Sequence, residues 1–105
     1  MSYKNRFLQT LGLCKRAGAI LSGDELMNSL GKNVHLLVLA SNASERTQKQ
    51  IKDKSKFYKI DLVEGFSSDD FYRSTSLQNR MVLGITNKGL ADKLNTYIKE
   101  NEVTQ

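Results

Sequence analysis

The chain has 105 residues, of which 39% are apolar, and this size and composition are typical of one folded domain rather than of a disordered chain. It contains no apolar run of about 18 residues, which excludes a transmembrane helix, and its N-terminus lacks the apolar segment of a signal peptide, which predicts a cytoplasmic protein. The net charge of +5 is uneven, with +7 in residues 1–59 and −2 in residues 60–105. A small basic domain favours a polyanionic partner such as RNA or DNA, although many soluble proteins are as basic without one.

Apolar residues recur with helical or strand spacing along the first half of the chain. The first predicted helix covers residues 4–17 and ends at Gly18, and a short strand at residues 19–21 follows it. A second helix begins at Ser22, where a Ser-x-x-Glu pattern that includes Glu25 is typical of a capping box, and it stops near Gly31. Residues 34–40 are nearly all apolar, which predicts a buried, central strand.

The second half continues the alternation of helices and strands. A polar helix is predicted over residues 44–56, a strand at 60–63, a short helix capped by Ser67, a strand at 81–85 and a last helix capped by Asn87. We expect residues 101–105 to fray. The whole order predicts a single α/β domain over residues 1–105, with a roughly four-stranded sheet and helices on both faces.

The residue types needed for catalysis are scarce. Cys14 and His35 are the only residues of their kind, and we interpret Cys14 as a buried thiol on an apolar helix face and His35 as a strand-edge residue rather than as a catalytic pair. One cysteine excludes an internal disulfide, and the spacing of a Cys/His metal site is absent. Gly23 alone lies at a strand–helix junction, so the glycine-rich phosphate loops of nucleotide-binding proteins are absent. We therefore expect no enzyme, no metal and no cofactor.

The junction at Gly23 is nevertheless a candidate binding site. A glycine there lets the backbone approach a phosphate or a base edge, although Ser22 and Gly23 could simply cap the helix. The predicted outer face of this helix carries Glu25, Asn28 or Ser29, and Lys32, which together offer an acceptor, an amide or hydroxyl, and a cation. A helix face that only contacts solvent would have the same composition.

Basic residues form two further groups. The larger group lies on the third helix, whose Ile51 and Tyr58 are predicted to face the core, and it is either a phosphate-contacting surface or a solvated face. The smaller group flanks the predicted strands, and we expect it to converge with Lys32 at the sheet end that Gly23 marks. The larger group is Arg46, Lys49, Lys52, Lys54, Lys56 and Lys59, and the smaller is Lys15, Arg16 and Arg80.

Three segments resemble a known family. They are LGLCKRAGAILSGDE at residues 11–25, LLVLASNAS at 36–44 and ITNKGLA at 85–91. Together they resemble the YlxQ-type bacterial branch of the kink-turn RNA-binding superfamily named after ribosomal proteins L-seven-Ae and L-thirty-e. The resemblance spans about residues 6–98 in the expected order of elements. It implies a three-layer α/β/α sandwich with a mixed sheet, which binds kink-turns in RNA and has no enzymatic activity.

The RNA-binding motif of the superfamily is only partly retained. Its Gly-Thr-Asn-Glu-x-x-Lys pattern aligns with Gly23, but Thr, Asn, Glu and Lys are replaced by Asp24, Glu25, Leu26 and Ser29. Glu25 could take over part of the role of the carboxylate, and Lys32 one turn later could supply the charge of the lysine. The family's Leu-Gly-x-x-x-Gly loop before the last strand aligns with FYRSTS at residues 71–76, without either glycine, whereas residues 80 and 81 match positions that pack on the RNA.

The resemblance and the residue pattern together imply a monomeric protein that binds structured RNA, possessing neither a membrane partner nor a small-molecule substrate. The alternative is a protein–protein adaptor that kept the fold but lost base readout; a positive surface at the Gly23 end would favour RNA, and a neutral or negative one the adaptor. The implied RNA-binding residues are Lys15, Arg16, Ser22, Gly23, Asp24, Glu25, Asn28, Ser29, Lys32, Arg80 and Met81.

Overall fold

Helices and strands alternate along the chain in the predicted order. The computed structural model describes residues 2–104, and the side chains of residues 2–101. The helices are α1 (Tyr3–Arg16), α2 (Gly23–Ser29), α3 (Glu45–Tyr58), α4 (Ser68–Thr75) and α5 (Lys88–Thr104). The strands are β1 (Ile20–Leu21), β2 (Leu36–Ala40), β3 (Asp61–Phe66) and β4 (Val82–Ile85).

Most helices begin at a short polar residue whose side chain caps them. The Ser44 hydroxyl accepts from the Thr47 amide at 3.2 Å, and the Asn87 side chain accepts from the Leu90 amide at 2.9 Å, as predicted for Asn87. At α4 the predicted Ser67 cap is a complete capping box, because the Ser67 hydroxyl accepts from the Asp70 amide and the Asp70 carboxylate accepts from the Ser67 amide. α5 continues through Thr104, into the segment that was expected to fray, and residue 105 lies outside the described residues.

The four strands form one mixed sheet in the order β1-β4-β2-β3. β2 pairs with β3 in parallel and with β4 antiparallel, and β1 pairs antiparallel with β4. All five residues of β2 are buried, which confirms the prediction of a central strand. Continuous apolar character is expected of a strand covered on both faces.

Helices cover both faces of the sheet, so the predicted three-layer α/β/α sandwich is confirmed. On one face, α1, α4 and α5 bury a cluster that includes Phe7, Phe66 and Phe71, and the Phe7 and Phe66 rings stack with centroids 4.4 Å apart. On the other face, α2 and α3 bury Leu26 and Ile51 against the sheet. Among the helices that the structure describes, none is both long and apolar enough to cross a membrane.

The second helix is shorter than the sequence predicts. It ends at Ser29 because the chain turns there, with the Lys32 amide donating to the Ser29 carbonyl at 3.0 Å. The predicted capping box at Ser22 is wrong, since the Ser22 side chain makes no cap hydrogen bond. Gly23 has φ +63°, and this left-handed backbone replaces the helical geometry that would bring the Ser22 hydroxyl to the amide of Glu25.

Candidate nucleic-acid interface

The topology brings the start of α2 and the loop before β4 to the same end of the sheet. Leu21 pairs with Gly84, so the chain leaves β1 towards the end at which β4 begins. At that end the Met81 carbonyl accepts from the Ala40 amide at 2.8 Å. We call the residues exposed on α2 there (Gly23, Asp24, Glu25 and Asn28), together with Arg80 and Met81, the Gly23 surface.

A glycine is favoured at position 23 by the backbone conformation there and not by a lack of space around it. Its φ of +63° lies in the left-handed region, where a residue with a Cβ is strained by roughly 1–2 kcal/mol. A Cβ at this position would meet no atom within 4 Å. The space above Gly23 is therefore open, and a ligand could approach its backbone closely.

The side chains of α2 divide between the core and the surface. Leu26, which stands where the superfamily has a carboxylate, is fully buried and packs over Gly84 of β4. Asp24, Glu25 and Asn28 are exposed, whereas Ser22 and Ser29 are half-buried. The polar face of α2 thus consists of two carboxylates and one amide, and Leu26 has only a packing role.

The loop before β4 differs from its predicted position. Residues 71–75, which were aligned with the loop of the superfamily, are the second half of α4, and the connection begins at Ser76. It turns at Ser76 (φ +65°) and Asn79 (φ +56°), which take left-handed conformations without glycine. Arg80 follows and is exposed, and Met81 is half-buried against both apolar clusters, so Arg80 is the cation of this loop.

Asn42 ties two further helix starts to this end of the sheet. Its side-chain amide donates to the Ser68 hydroxyl at 2.8 Å, and its oxygen accepts from the Ser68 amide at 2.9 Å. The starts of α3 and α4 therefore lie side by side. Residue spacing alone does not predict this link, although a turn asparagine between a strand and a helix is well placed to bond to a neighbouring segment.

Acidic residues outnumber basic ones around the Gly23 surface. Among the described residues of the first turns of α2, α3 and α4 and of the loop before β4, there are five carboxylates and two guanidinium groups. One of the carboxylates, Asp70, is paired with Arg73 at 3.1 Å. Phosphates bound at this end would meet few cations, whereas base amino groups would meet several acceptors. The groups are Asp24, Glu25, Glu45, Asp69 and Asp70 against Arg46 and Arg80.

The other predicted cations lie elsewhere. Lys32 is beyond the end of α2 and lines a pocket with Phe57, Tyr58 and Lys59, so its predicted position at the Gly23 end is wrong. Arg16, in the last turn of α1, lines a groove between α1 and α4 that also holds Arg73. Lys15 is exposed in the same helical turn.

Cys14 and His35 are not brought together. Cys14 is fully buried in the cluster beneath α1, whereas His35 is exposed and lines the pocket beside α3, across the sheet. Burial raises the pKa of the Cys14 thiol from 9.0 to about 11, which keeps it protonated and unreactive at neutral pH. Within the part of the chain that the structure describes, no group of His, Cys, Asp and Glu is arranged to hold a metal ion.

Two sequence relatives cover almost the whole chain. An RNA-binding protein YlxQ of Enterococcus faecium is 32% identical over 98 residues, which are 91% of this chain and 94% of that protein. The RNA-binding protein YlxQ of Bacillus subtilis is 34% identical over 86 residues, 80% of this chain and 86% of that protein. The chain belongs to the YlxQ family. No protein-family model matches the sequence of this YlxQ-family chain.

Solved structures share its fold. A Bacillus halodurans protein of unknown function has a TM-score of 0.84 at 28% identity, over 90% of this chain and 97% of its own. A Giardia lamblia 15.5kD RNA-binding protein has a TM-score of 0.75 at 14% identity, over 96% of this chain and 88% of its own. The YlxQ-family chain therefore shares its α/β/α fold with both of these proteins.

Proposed function

We propose that this YlxQ-family chain is a non-catalytic protein that binds structured RNA through the Gly23 surface, with kink-turn internal loops as the preferred form. The observation that supports this most is the near full-length similarity to two proteins named as RNA-binding. The exposed polar groups at the start of α2 and the Arg80 guanidinium lie at the same end of the sheet, where they offer RNA hydrogen-bonding and charged partners.

The chemistry of the Gly23 surface suits base edges better than phosphates. The Glu25 carboxylate can accept from the amino group of a base, and the Asn28 amide can both donate and accept. Arg80 can contact a phosphate or the acceptor edge of guanine in a bidentate fashion. The open space above Gly23 lets the RNA approach the backbone of α2.

Lys15 and Arg16 are proposed to contact phosphates that flank the bound element, and Ser22, Ser29 and Met81 to line it. Because Leu26 is buried, the base contact of the superfamily's carboxylate falls to Glu25 in this proposal. We further propose that the protein acts as a monomer in the cytoplasm and needs no cofactor.

A second candidate function is a protein–protein adaptor on the same fold. The excess of carboxylates around the Gly23 surface favours it, since a negative surface repels the phosphates of RNA. A basic partner protein would then occupy this end of the sheet.

A binding titration tests the proposal. The protein is titrated with a kink-turn RNA and with a straight RNA duplex of matched length, each at about 50 and about 200 mM salt. We expect the kink-turn to bind at least about tenfold more tightly than the duplex at both salt concentrations. The variant Arg80→Ala should weaken kink-turn binding by about 5- to 150-fold, which corresponds to one lost contact of roughly 1–3 kcal/mol. Lys93→Ala, on the exposed face of α5, is the matched control and should bind as the unaltered protein does.

The outcomes separate the two candidates. Equal affinity for the two RNAs refutes kink-turn recognition. Binding that vanishes at 200 mM salt for both RNAs leaves only general attraction between a basic protein and a polyanion. If neither RNA binds at 50 mM salt, the adaptor is the better proposal, and Asp24→Asn and Glu25→Gln should then weaken binding to the partner protein.

A further inference from the structure

A second exposed surface lies at the opposite end of the sheet, where β2 and β3 begin and α3 ends. A pocket of about 410 Å³ opens there, with buried Leu30, Val34 and Ile60 at its base and a rim of basic and aromatic residues. We call its rim the Phe57 surface, defined by Lys32, His35, Phe57, Tyr58 and Lys59. This surface is on the far side of the molecule from Gly23, and the function proposed above does not use it.

Phe57 has no packing role that would explain an aromatic residue at this position. Ile51 faces the sheet from α3 and is 1% exposed, whereas Phe57 points away from the sheet and is 79% exposed. By helical spacing it shares the solvent side of α3 with Asp53, one turn earlier. A phenyl ring exposed to this extent gains little from the hydrophobic effect in the folded chain.

The Phe57 ring is nevertheless held in a defined place. It contacts the Tyr58 ring edge-to-face, with centroids 4.9 Å apart and planes at 83°. Tyr58 in turn packs on Gly31, where an added Cβ would lie 3.2 Å from the ring. The phenyl ring therefore has an aromatic neighbour in Tyr58 and still presents a largely open surface.

Unpaired cations surround this ring. Lys32 and Lys59 line the same pocket, and Lys56 lies next to Phe57 in the last turn of α3. The ion pairs found among the described residues involve Lys52, Arg73 and Lys88, and none of these is in the Phe57 surface. Two carboxylates lie near: Asp53 shares the open side of α3, and Asp61 at the start of β3 is exposed and accepts from the Asn95 amide at 2.8 Å.

We propose that the Phe57 surface binds single-stranded RNA, with one base stacked on Phe57 and its flanking phosphates on Lys32 and Lys59. Proteins that bind single strands without sequence preference combine an exposed aromatic ring with a basic groove in this way. An acidic peptide would satisfy the lysines, but it would leave the flat face of Phe57 without a matching partner. The Phe57 surface would hold a single strand that extends from a structured RNA, and this binding does not require the Gly23 surface.

The experiment measures anisotropy of a labelled, unstructured RNA of about ten nucleotides, a length in the range that one such site covers. Phe57→Ala and Phe57→Leu should each weaken RNA binding by roughly tenfold, because both remove the aromatic ring. Phe57→Trp keeps an aromatic ring and should bind the RNA as the unaltered protein does. Tyr72→Ala, which removes an aromatic ring that is 47% exposed on α4, is the matched control and should have no effect. Phe57 is so exposed that its variants should fold, which circular dichroism checks.

The lysines are tested by the salt dependence of the same binding. Lys32→Gln and Lys59→Gln should each lower the slope of log K against log salt by about 0.7, the value for one phosphate contact on a single strand. Lys93→Gln should leave the slope unchanged. Kink-turn recognition is measured by the ratio of kink-turn to duplex affinity, and the present proposal by the loss of single-strand binding in Phe57→Leu, so their failures are seen in different assays.

Two results would overturn the proposal. The first is that the Phe57→Leu variant binds the single strand as tightly as the unaltered protein does, which would mean that no base stacks on this residue. The second is competition by a polyglutamate peptide that is as strong as competition by unlabelled RNA. If Lys59→Gln also weakens the binding of both ligands equally, the surface binds acidic protein segments instead.

Discussion

The contact between α2 and the sheet leads to a sharp prediction at Gly84. This glycine of β4 lies directly beneath Leu26, and a Cβ there would overlap the Leu26 Cδ1 atom and come within 3.3 Å of Val34. Leu26 is fully buried and cannot swing into solvent, so Gly84→Ala must displace either Leu26 or α2. Overpacking of this kind costs about 1–3 kcal/mol, and the lower chain entropy of alanine returns roughly 0.5–1 kcal/mol. We expect a net loss of about 1 kcal/mol, or a Tm lower by about 4–8 °C.

The measurement is urea unfolding of four proteins that form a double-mutant cycle. Leu26→Ala alone should cost about 2–5 kcal/mol because it leaves a cavity. In the double variant the alanine methyl at position 84 fills part of that cavity, so the two changes together should cost at least about 1 kcal/mol less than their sum. Gly89→Ala is the control, since its Cβ has Asn87 Oδ1 as nearest neighbour at 3.4 Å and alanine favours a helix. Additive effects at positions 84 and 26, or a stabilising Gly84→Ala, would refute the packing described here.

Three further predictions concern the helix caps, the backbone at Ser76 and the Cys14 thiol. Ser67→Ala removes half of a capping box and should lower the free energy of unfolding by about 1 kcal/mol, whereas Ser22→Ala should change it by less than about 0.5 kcal/mol; urea midpoints compare the two. Ser76→Gly should raise the Tm slightly, because glycine relieves a left-handed strain of roughly 1–2 kcal/mol at φ +65°, which exceeds its chain-entropy cost of roughly 0.5–1 kcal/mol; an unchanged or lower Tm contradicts this. Burial raises the pKa of Cys14 from 9.0 to about 11, so the thiol loses its proton at a lower pH in the unfolded chain than in the folded one. The free energy of unfolding should therefore fall as the pH rises from 9 to 11, by up to about 1.4 kcal/mol per pH unit. Cys14→Ala should lose that part of the pH dependence, and an equal slope in both proteins would argue against it.

The core of the fold could be predicted from the sequence because apolar spacing reports burial directly. Residues 34–40 are nearly all apolar since β2 is covered by helices on both faces, and Ile51 marks the inner side of α3. The prediction failed at the end of α2. There the assumption that the helical spacing continued placed Lys32 on the same face as Glu25, but the chain turns at Ser29.

The surface was harder to predict, because the same residue types occur on solvated faces and on binding faces. The sequence gives no sign that Gly23 takes a left-handed φ, which depends on how β1 enters α2. By contrast, the exposure of Phe57 follows from helical spacing once Ile51 is placed in the core, although it was not predicted. The gathering of carboxylates at the Gly23 end depends on topology, because it combines residues that are far apart in the chain.

The pairing of β1 also has a consequence for folding during synthesis. β1 is two residues long, and among the described residues its strand partner is β4, whose residues 82–85 are made more than 60 residues later. Until those residues leave the ribosome, β1 has no neighbour in the sheet, and α2 lacks the β4 strand on which Leu26 packs at Gly84. The βαβ unit of β2, α3 and β3 is complete at Phe66 and can form earlier, with β4 joining the free edge of β2 afterwards. A nascent chain should therefore acquire the Phe57 surface before the Gly23 surface, and truncation before residue 82 should leave the Gly23 surface unassembled.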